Sequence, residues 1–278
     1  MKTIIISGSS GFIGNYIKNQ FSKKFNIISL EKKNNYNMKR KINIKYKGKI
    51  DYFIHTAFQI DLKKFSKEEY FHLNYLGVLN ALEFCKNNNI IFIFLSTYLY
   101  GKPKYLPIDT KHPINPHNYY SLSKYKCEKL CYEFKNTYNI NSIILRLFNI
   151  YGVGQRVGYI FSDILNQINN ETIYLKHFQS KRDYLHIEDF AELLNKIILS
   201  NFNKFYTFNV GFGKSTSVKE IIMYFKKINK KINFLELDKN NKESIIDCYA
   251  DIEQTKNIFN WQPKITIEEG IGQLIKNA

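Results

Sequence analysis

The first two dozen residues constrain the fold of this chain more than any other stretch. Lys2–Ser7 is a short, mostly β-branched apolar run. Gly8-Ser9-Ser10-Gly11-Phe12-Ile13-Gly14 follows at once, and Phe12–Lys24 then sets Phe12, Ile13, Ile17 and Phe21 on one helical side. Strand, G-x-x-G-x-x-G turn and helix in direct succession have a physical reading. Gly8 permits the tight turn, Gly11 lets a pyrophosphate approach the helix N-terminal amides, and Gly14 lets the helix pack on the strand. The turn therefore implies a dinucleotide held by Gly8, Ser10, Gly11, Phe12, Ile13 and Gly14.

The remaining pattern alternates short apolar strands with helical segments, which predicts a parallel sheet built from crossover units. Phe25–Glu31 reads as a second strand, Lys41–Tyr46 as a short third, Asp51–Ala57 as a fourth and Ile90–Thr97 as a fifth, buried on both faces. Lys67–Asn88 and Tyr119–Tyr138 read as long helices, and Asn141–Asn149 as a sixth strand. After Tyr151 the pattern loosens into a helix, a strand near Thr172–Leu175, a helix near Ile187–Leu199, a strand Phe205–Val210, a helix from Ser217 and a C-terminal helix. The expected fold is α/β, a doubly wound parallel sheet of Rossmann type with a smaller, mainly C-terminal substrate-binding lobe. Its dinucleotide-binding domain would span 1–152, with segments near 180–215 returning to it, and the lobe would take most of 153–278.

The acidic residue expected at the end of the second strand is Glu31, about 20 residues past the turn, and Lys32 and Lys33 follow it. Glu31 suits the ribose hydroxyls of NAD, while the lysines suit the 2′-phosphate of NADP. Both cofactors stay open.

Composition narrows the classes of partner. Lys+Arg 41 against Asp+Glu 24 gives a formal charge of +17 over 278 residues. The lysines are spread over every segment and the only arginines are Arg40, Arg146, Arg156 and Arg182, so the basic stripe that nucleic acid requires is missing and no nucleic-acid partner is expected. A basic surface would attract a pyrophosphate ligand. No apolar run nears the ~20 residues that span a bilayer, and the N-terminus turns too early for a signal-peptide core; the expectation is a cytoplasmic protein without membrane contact. Cys85, Cys127, Cys131 and Cys248 form no metal-ligand spacing and read as reduced structural thiols. No metal site is expected.

A second constellation is Tyr120-Ser121-Leu122-Ser123-Lys124. Tyrosine and lysine four apart project from one helical face, so the ammonium can stabilise a phenolate and make Tyr120 a proton shuttle. Tyr119 has Ser123 at the same spacing, which supplies no charge. The helix follows a buried strand ending in Ser96-Thr97, so a hydroxyl, a phenol and an ammonium could converge at the C-terminal edge of the sheet, where such folds bind ligands.

These residues resemble the extended short-chain dehydrogenase/reductases of the epimerase/dehydratase group, which act on nucleotide-linked sugars. The resemblance runs through almost the whole chain. It includes Asp51-Tyr52-Phe53-Ile54-His55-Thr56-Ala57, Leu95-Ser96-Thr97-Tyr98-Leu99-Tyr100-Gly101, Leu145-Arg146-Leu147-Phe148-Asn149-Ile150-Tyr151-Gly152, Lys181-Arg182-Asp183-Tyr184-Leu185-His186-Ile187-Glu188-Asp189, Phe208-Asn209-Val210-Gly211 and Trp261-Gln262-Pro263. It implies that Ser96, five positions before Gly101, hydrogen-bonds the reacting sugar oxygen, with Thr97 beside it. Tyr120 would exchange a proton with that oxygen, and Lys124 would also hold the nicotinamide ribose. Ala57 joins the cofactor side; Asn149 and Arg182 would bind the substrate's diphosphate. His55 and His186 read as structural.

The departures from the group are also informative. Thr97-Tyr98 stand where 4,6-dehydratases carry an acid pair, which disfavours elimination. No arginine follows Arg182, and Lys242 is the candidate replacement for a second diphosphate ligand. Compact length and the lysines after Glu31 are similar to the short 4-keto-sugar reductases, so the expected reaction is NAD(P)-dependent reduction of a 4-keto-6-deoxy nucleotide sugar. NAD-dependent C4 epimerisation uses the same residues, and a non-catalytic dinucleotide-binding scaffold is the alternative of another class. The resemblance also implies a homodimer through the two long helices.

Overall fold

The computed structural model describes residues 1–278 except 35, 61–64, 99, 117, 229–231, 238–246 and 278. In chain order its elements are β1 (Thr3–Ser7), α1 (Phe12–Phe21), β2 (Asn26–Leu30), β3 (Tyr52–His55), α2 (Lys67–Asn88), β4 (Ile91–Thr97), α3 (Tyr119–Tyr138), β5 (Ser142–Leu147) and β6 (Asn149–Tyr151). There follow α4 (Ile160–Asn166), β7 (Thr172–Lys176), β8 (Lys181–His186), α5 (Ile187–Leu199), β9 (Tyr206–Val210), β10 (Ser215–Ser217), α6 (Val218–Ile228), β11 (Asn233–Leu237), α7 (Glu253–Phe259) and α8 (Ile267–Lys276). They divide into two compact units. The first comprises Met1–Tyr100, Ile114–Leu147 and Leu194–Phe208; the second comprises Gly101–Pro113, Phe148–Leu193 and Asn209–Ala278.

The first unit carries a six-stranded parallel sheet in the order β2-β1-β3-β4-β5-β9, which is the doubly wound arrangement expected. Strands β1, β3 and β5 are buried along their whole length, as parallel strands covered on both faces must be. Phe53, Phe92, Phe94, Val78, Leu130 and Phe134 build one core between the sheet and the helices α2 and α3. Both helices are closed at each end by sequence. Ser66 and Asn118 are N-caps that form capping boxes with Glu69 and Ser121, and Asn89 and Asn139 end the helices in the left-handed region at φ 51° and 56°.

Two strand assignments need correction. Lys41–Tyr46 is not a strand: β2 and β3 occupy the two sides of β1, and the alternating Ile42 and Ile44 only pack against the core. The Tyr46 hydroxyl closes this segment onto the Asn26 amide group at 2.8 Å. The run Asn141–Asn149 is two strands, not one: β5 ends at Leu147, and from Asn149 the chain runs as β6 beside β8 in the small sheet. Periodicity also missed β8, whose charged start Lys181-Arg182-Asp183 hides it, and the short β10, β11 and α7.

The second unit holds a three-stranded sheet, β10-β8-β6, and a two-stranded parallel one, β11-β7. Its core gathers Tyr151, Phe161, Ile173, Ile221, Phe225 and Ile271. Asp183 is its buried polar hub, accepting the amides of Phe212 at 2.6 Å, Gly213 at 3.0 Å and Ala250 at 3.1 Å. All four cysteines are buried and free, and no helix among the described residues is long and apolar enough to cross a membrane.

Candidate active site

The glycine turn has the geometry of a phosphate cradle. Gly8 adopts φ +72° and donates its amide to Leu30 O at 2.8 Å, which ties the turn to β2. A Cβ at Gly8 would lie 2.6 Å from the Ala57 amide nitrogen, and one at Gly14 would strike the Gly8 carbonyl, so both positions require glycine. Gly11 is the N-cap of α1 and leaves its first-turn amides without a side-chain acceptor or an acidic neighbour. An anion fits there. Ser9 is fully buried within the turn, and its hydroxyl has no hydrogen-bond partner among the described residues. Ser10 and Gly11 are exposed, whereas Phe12 and Ile13 are half-buried. Free amides, an unmet hydroxyl and a surface without Cβ atoms suit a dinucleotide pyrophosphate.

At the end of β2 the Glu31 carboxylate is buried, and the largely exposed Lys33 pairs with it at 3.1 Å. Lys32 is exposed. The acid and the base read from the sequence therefore form one ion pair.

Helix α3 brings Tyr120 and Lys124 together. Asn118 starts the helix, so Tyr120 lies in its first turn and Lys124 one turn on. Lys124 is 4% exposed, and its ammonium donates to Leu95 O of β4. It lies 3.7 Å from the Phe58 ring centre, 4.9 Å from that of Phe94 and 5.9 Å from that of Tyr120. Burial drives the Lys124 pKa down to about 7, with Cys127 and Glu128 pulling it back up. His55 lies within the same field. Its Nδ1 is 2.9 Å from the Ser7 hydroxyl, and burial followed by the Lys124 charge holds its pKa near 3. His55 is thus a neutral core histidine.

Ser96 lies near the end of β4. It is 3% exposed, and its hydroxyl donates to Glu128 Oε1 at 2.6 Å. Glu128 is fully buried and receives Arg146 Nε at 3.1 Å and Nη2 at 2.7 Å; Arg146 Nη1 donates to the Tyr100 hydroxyl at 2.9 Å. Burial lowers the guanidinium's affinity for its proton, but the Glu128 hydrogen bond and charge overcome that and raise it. The Ser96 hydroxyl is therefore engaged in a buried ion pair. Thr97, the last residue of β4, is half-buried.

The other substrate candidates belong to the second unit. Asn149 Nδ2 donates to Asp183 O at 3.0 Å, and Arg182 donates from Nη1 to Ser180 Oγ at 2.7 Å and Lys181 O at 2.8 Å. Asn149 and Arg182 line one cavity of about 490 Å³ together with Lys176, His177, Tyr159 and Tyr174. Lys242 lies outside the described residues. Sequence reasoning missed Glu128 as a functional neighbour, although it falls four residues past Lys124 on the stripe that carries Tyr120. It also missed Lys176, which no spacing distinguishes among so many lysines.

Residues 4–211 match the NAD dependent epimerase/dehydratase family. A Methanocaldococcus jannaschii protein described as a "Putative UDP-glucose 4-epimerase" is 30% identical over 98% of this chain and 97% of its own length. The dTDP-4-dehydro-6-deoxyglucose reductase of Escherichia coli is 31% identical over 68% of this chain and 60% of its own. Among solved structures, RMD from Pseudomonas aeruginosa complexed with NADPH covers all of this chain, and 98% of that one, at a TM-score of 0.89 and 20% identity, a likeness of fold. With its nucleotide cradle, its tyrosine–lysine helix and these matches, the chain belongs to the NAD dependent epimerase/dehydratase family, enzymes of the extended short-chain dehydrogenase/reductase type.

Proposed function

We propose that the protein reduces the ketone of a 4-keto-6-deoxy nucleotide sugar. The observation that carries the catalytic reading, shared by reduction and epimerisation, is the Tyr120–Lys124 pair, a phenol one helical turn from a buried ammonium that has no ion-pair partner among the described residues. The 31% identity to a dTDP-4-dehydro-6-deoxyglucose reductase supports reduction. A bound nicotinamide dinucleotide supplies the hydride. The residues of the chain then manage oxygen and charge. Tyr120 gives its phenolic proton to the sugar oxygen as that oxygen gains electron density, and Lys124 stabilises the phenolate left behind. Ser96, whose hydroxyl donates to Glu128 in the ligand-free protein, is the hydroxyl that steadies the sugar oxygen, with Thr97 beside it. In the second unit, Arg182 and Asn149 of the cavity take the diphosphate, the former through its guanidinium charge.

Epimerisation at C4 is the second reading, favoured by the near full-length relative described as a 4-epimerase. Incubation with a panel of nucleotide sugars and their 4-keto forms separates the two. A reductase consumes reduced dinucleotide one-for-one with product; an epimerase changes the sugar with no net change in nicotinamide absorbance. If no member of the panel changes under either assay, the catalytic reading falls.

For the cofactor, the Glu31–Lys33 pair supports use of either dinucleotide, with the lysines meeting a 2′-phosphate. Replacing both Lys32 and Lys33 by glutamine should weaken NADPH about tenfold while leaving NADH within about twofold, a selective loss near 1.4 kcal/mol; equal weakening would remove that role. A homodimer through α2 and α3 belongs to the same proposal, and sedimentation at micromolar protein tests it.

A further inference from the structure

Between β3 and α2 one aromatic side chain touches both members of the proposed proton-handling pair. Phe58 is half-buried, and its ring centre lies 3.7 Å from the Lys124 ammonium. The same ring packs perpendicular to that of Tyr120, with centroids 5.8 Å apart and planes at 89°. The chain is anchored on both sides of it. Thr56 donates its amide and its hydroxyl to Ser7 O at 3.1 and 2.6 Å, and Ala57 lies against Gly8 of the nucleotide cradle. Gln59 is clasped from α2: its amide donates to Asn74 Oδ1 at 2.7 Å, and Asn74 Nδ2 donates to Gln59 O at 3.1 Å. Asn74 is fully buried, so this two-bond clasp is shielded from water. The backbone is therefore fixed before and after residue 58, and the ring is held against α3.

We propose that Phe58 is a positioning residue for the reaction, whose ring face keeps the Lys124 ammonium charged and whose packing fixes the Tyr120 ring beside it. The inference rests on the proposed role of Tyr120 and Lys124 and adds what holds that pair in working order. A cation is drawn to the negative face of an aromatic ring, and more strongly where water is excluded. Burial acts against the Lys124 charge and the ring acts for it. Among the described residues, the titratable groups around that ammonium are Tyr120, Cys127 and Glu128 on α3 and His55 on β3. His55 is neutral, burial raises the Cys127 thiol to about 12, and the Glu128 carboxylate is paired with Arg146 of β5 at 2.7 Å. The close contacts of the ammonium are thus the Leu95 carbonyl and the rings of Phe58 and Phe94, and Phe58 is the nearer ring. An ammonium carries three donors, so these contacts are compatible with one to a ribose hydroxyl.

Two substitutions separate the ring from the space it fills: Phe58→Leu removes the ring and keeps most of the apolar bulk, and Phe58→Tyr keeps the ring. Phe58→Leu should lower kcat roughly tenfold through misplacement of Tyr120, with dinucleotide affinity within about twofold of wild type. It should also move the alkaline limb of the kcat profile down by about half to one pH unit, because the ammonium gives up its proton sooner. Phe58→Tyr should return the limb to the wild-type position. A second measurement needs no substrate. Below a Lys124 pKa of about 7 the folded protein carries the ammonium and the ring stabilises it; above it the amine is neutral and that stabilisation is gone. Phe58→Leu should therefore lower the denaturant midpoint more at about pH 5.5 than at about pH 9, and the difference should vanish in a Lys124→Met background. The proposal is overturned if the Phe58→Leu limb stays at the wild-type pH whatever kcat does, or if Phe58→Tyr moves it as far as Phe58→Leu. It is equally overturned if the midpoint loss is the same at both pH values, which would make Phe58 a filler of space. Loss of the Tyr120 assignment would show separately, as full turnover in Tyr120→Phe, and leaves the midpoint test unaffected.

Discussion

Arg146 and Lys124 are both buried cations against the same helix, yet their surroundings have opposite effects. Arg146 is met by the Glu128 carboxylate and the Tyr100 hydroxyl, and its proton is held more firmly than in water. Lys124, one turn away, meets a backbone carbonyl and three aromatic rings, and burial lets its proton leave near pH 7. A compensated buried charge stabilises structure when both partners are present, whereas an uncompensated one is poised to exchange or stabilise a proton. The difference supports the proposed place of the chemistry, on the Lys124 side of α3.

The contrast breaks most visibly in turnover. Lys124→Met should lower kcat by about 10²–10⁴-fold, the range of a lost acid–base partner, while far-ultraviolet circular dichroism stays native. Arg146→Met should instead act on stability: it strands the Glu128 carboxylate and costs about 3–5 kcal/mol in chemical denaturation, and combining it with Glu128→Leu should recover most of that. If Arg146→Met proves neutral, the two cations are not different in kind.

A smaller effect sharpens the Lys124 side. Its pKa is about 7 in the fold against an ordinary 10.5, so between those values the unfolded chain holds a proton that the folded one lacks. Stability gains from rising pH across that window, and the penalty of the buried ammonium is complete below it. The stability difference between wild type and Lys124→Met should therefore shift in favour of wild type from about pH 7 to 10. A flat or falling difference would show that the ammonium is not desolvated.

Much of this was legible from residue types alone. The glycine turn, the largely apolar β4 and the capped helices are local signals, and they fixed the sheet and the place of Tyr120 and Lys124. Ser96 shows the limit: counting back from Gly101 found the right strand end, but the contact of its hydroxyl with Glu128, thirty-two residues away, leaves no local signal. Lys41–Tyr46 alternated like a strand yet lies outside the sheet, because β2 and β3 take the two sides of β1 and Ile42 and Ile44 pack against the core instead. The cavity of Arg182 and Lys176 is assembled from β6, α4, β7 and β8, so no single motif describes it.

The most direct measurement is made on Tyr120→Phe, in rapid mixing of the dinucleotide-loaded protein with a 4-keto-6-deoxy nucleotide sugar. The account predicts dinucleotide binding within about threefold of wild type by fluorescence titration, and a nicotinamide oxidation rate lower by at least about 10²-fold. Oxidation at the wild-type rate, on a substrate the wild type reduces, would contradict it.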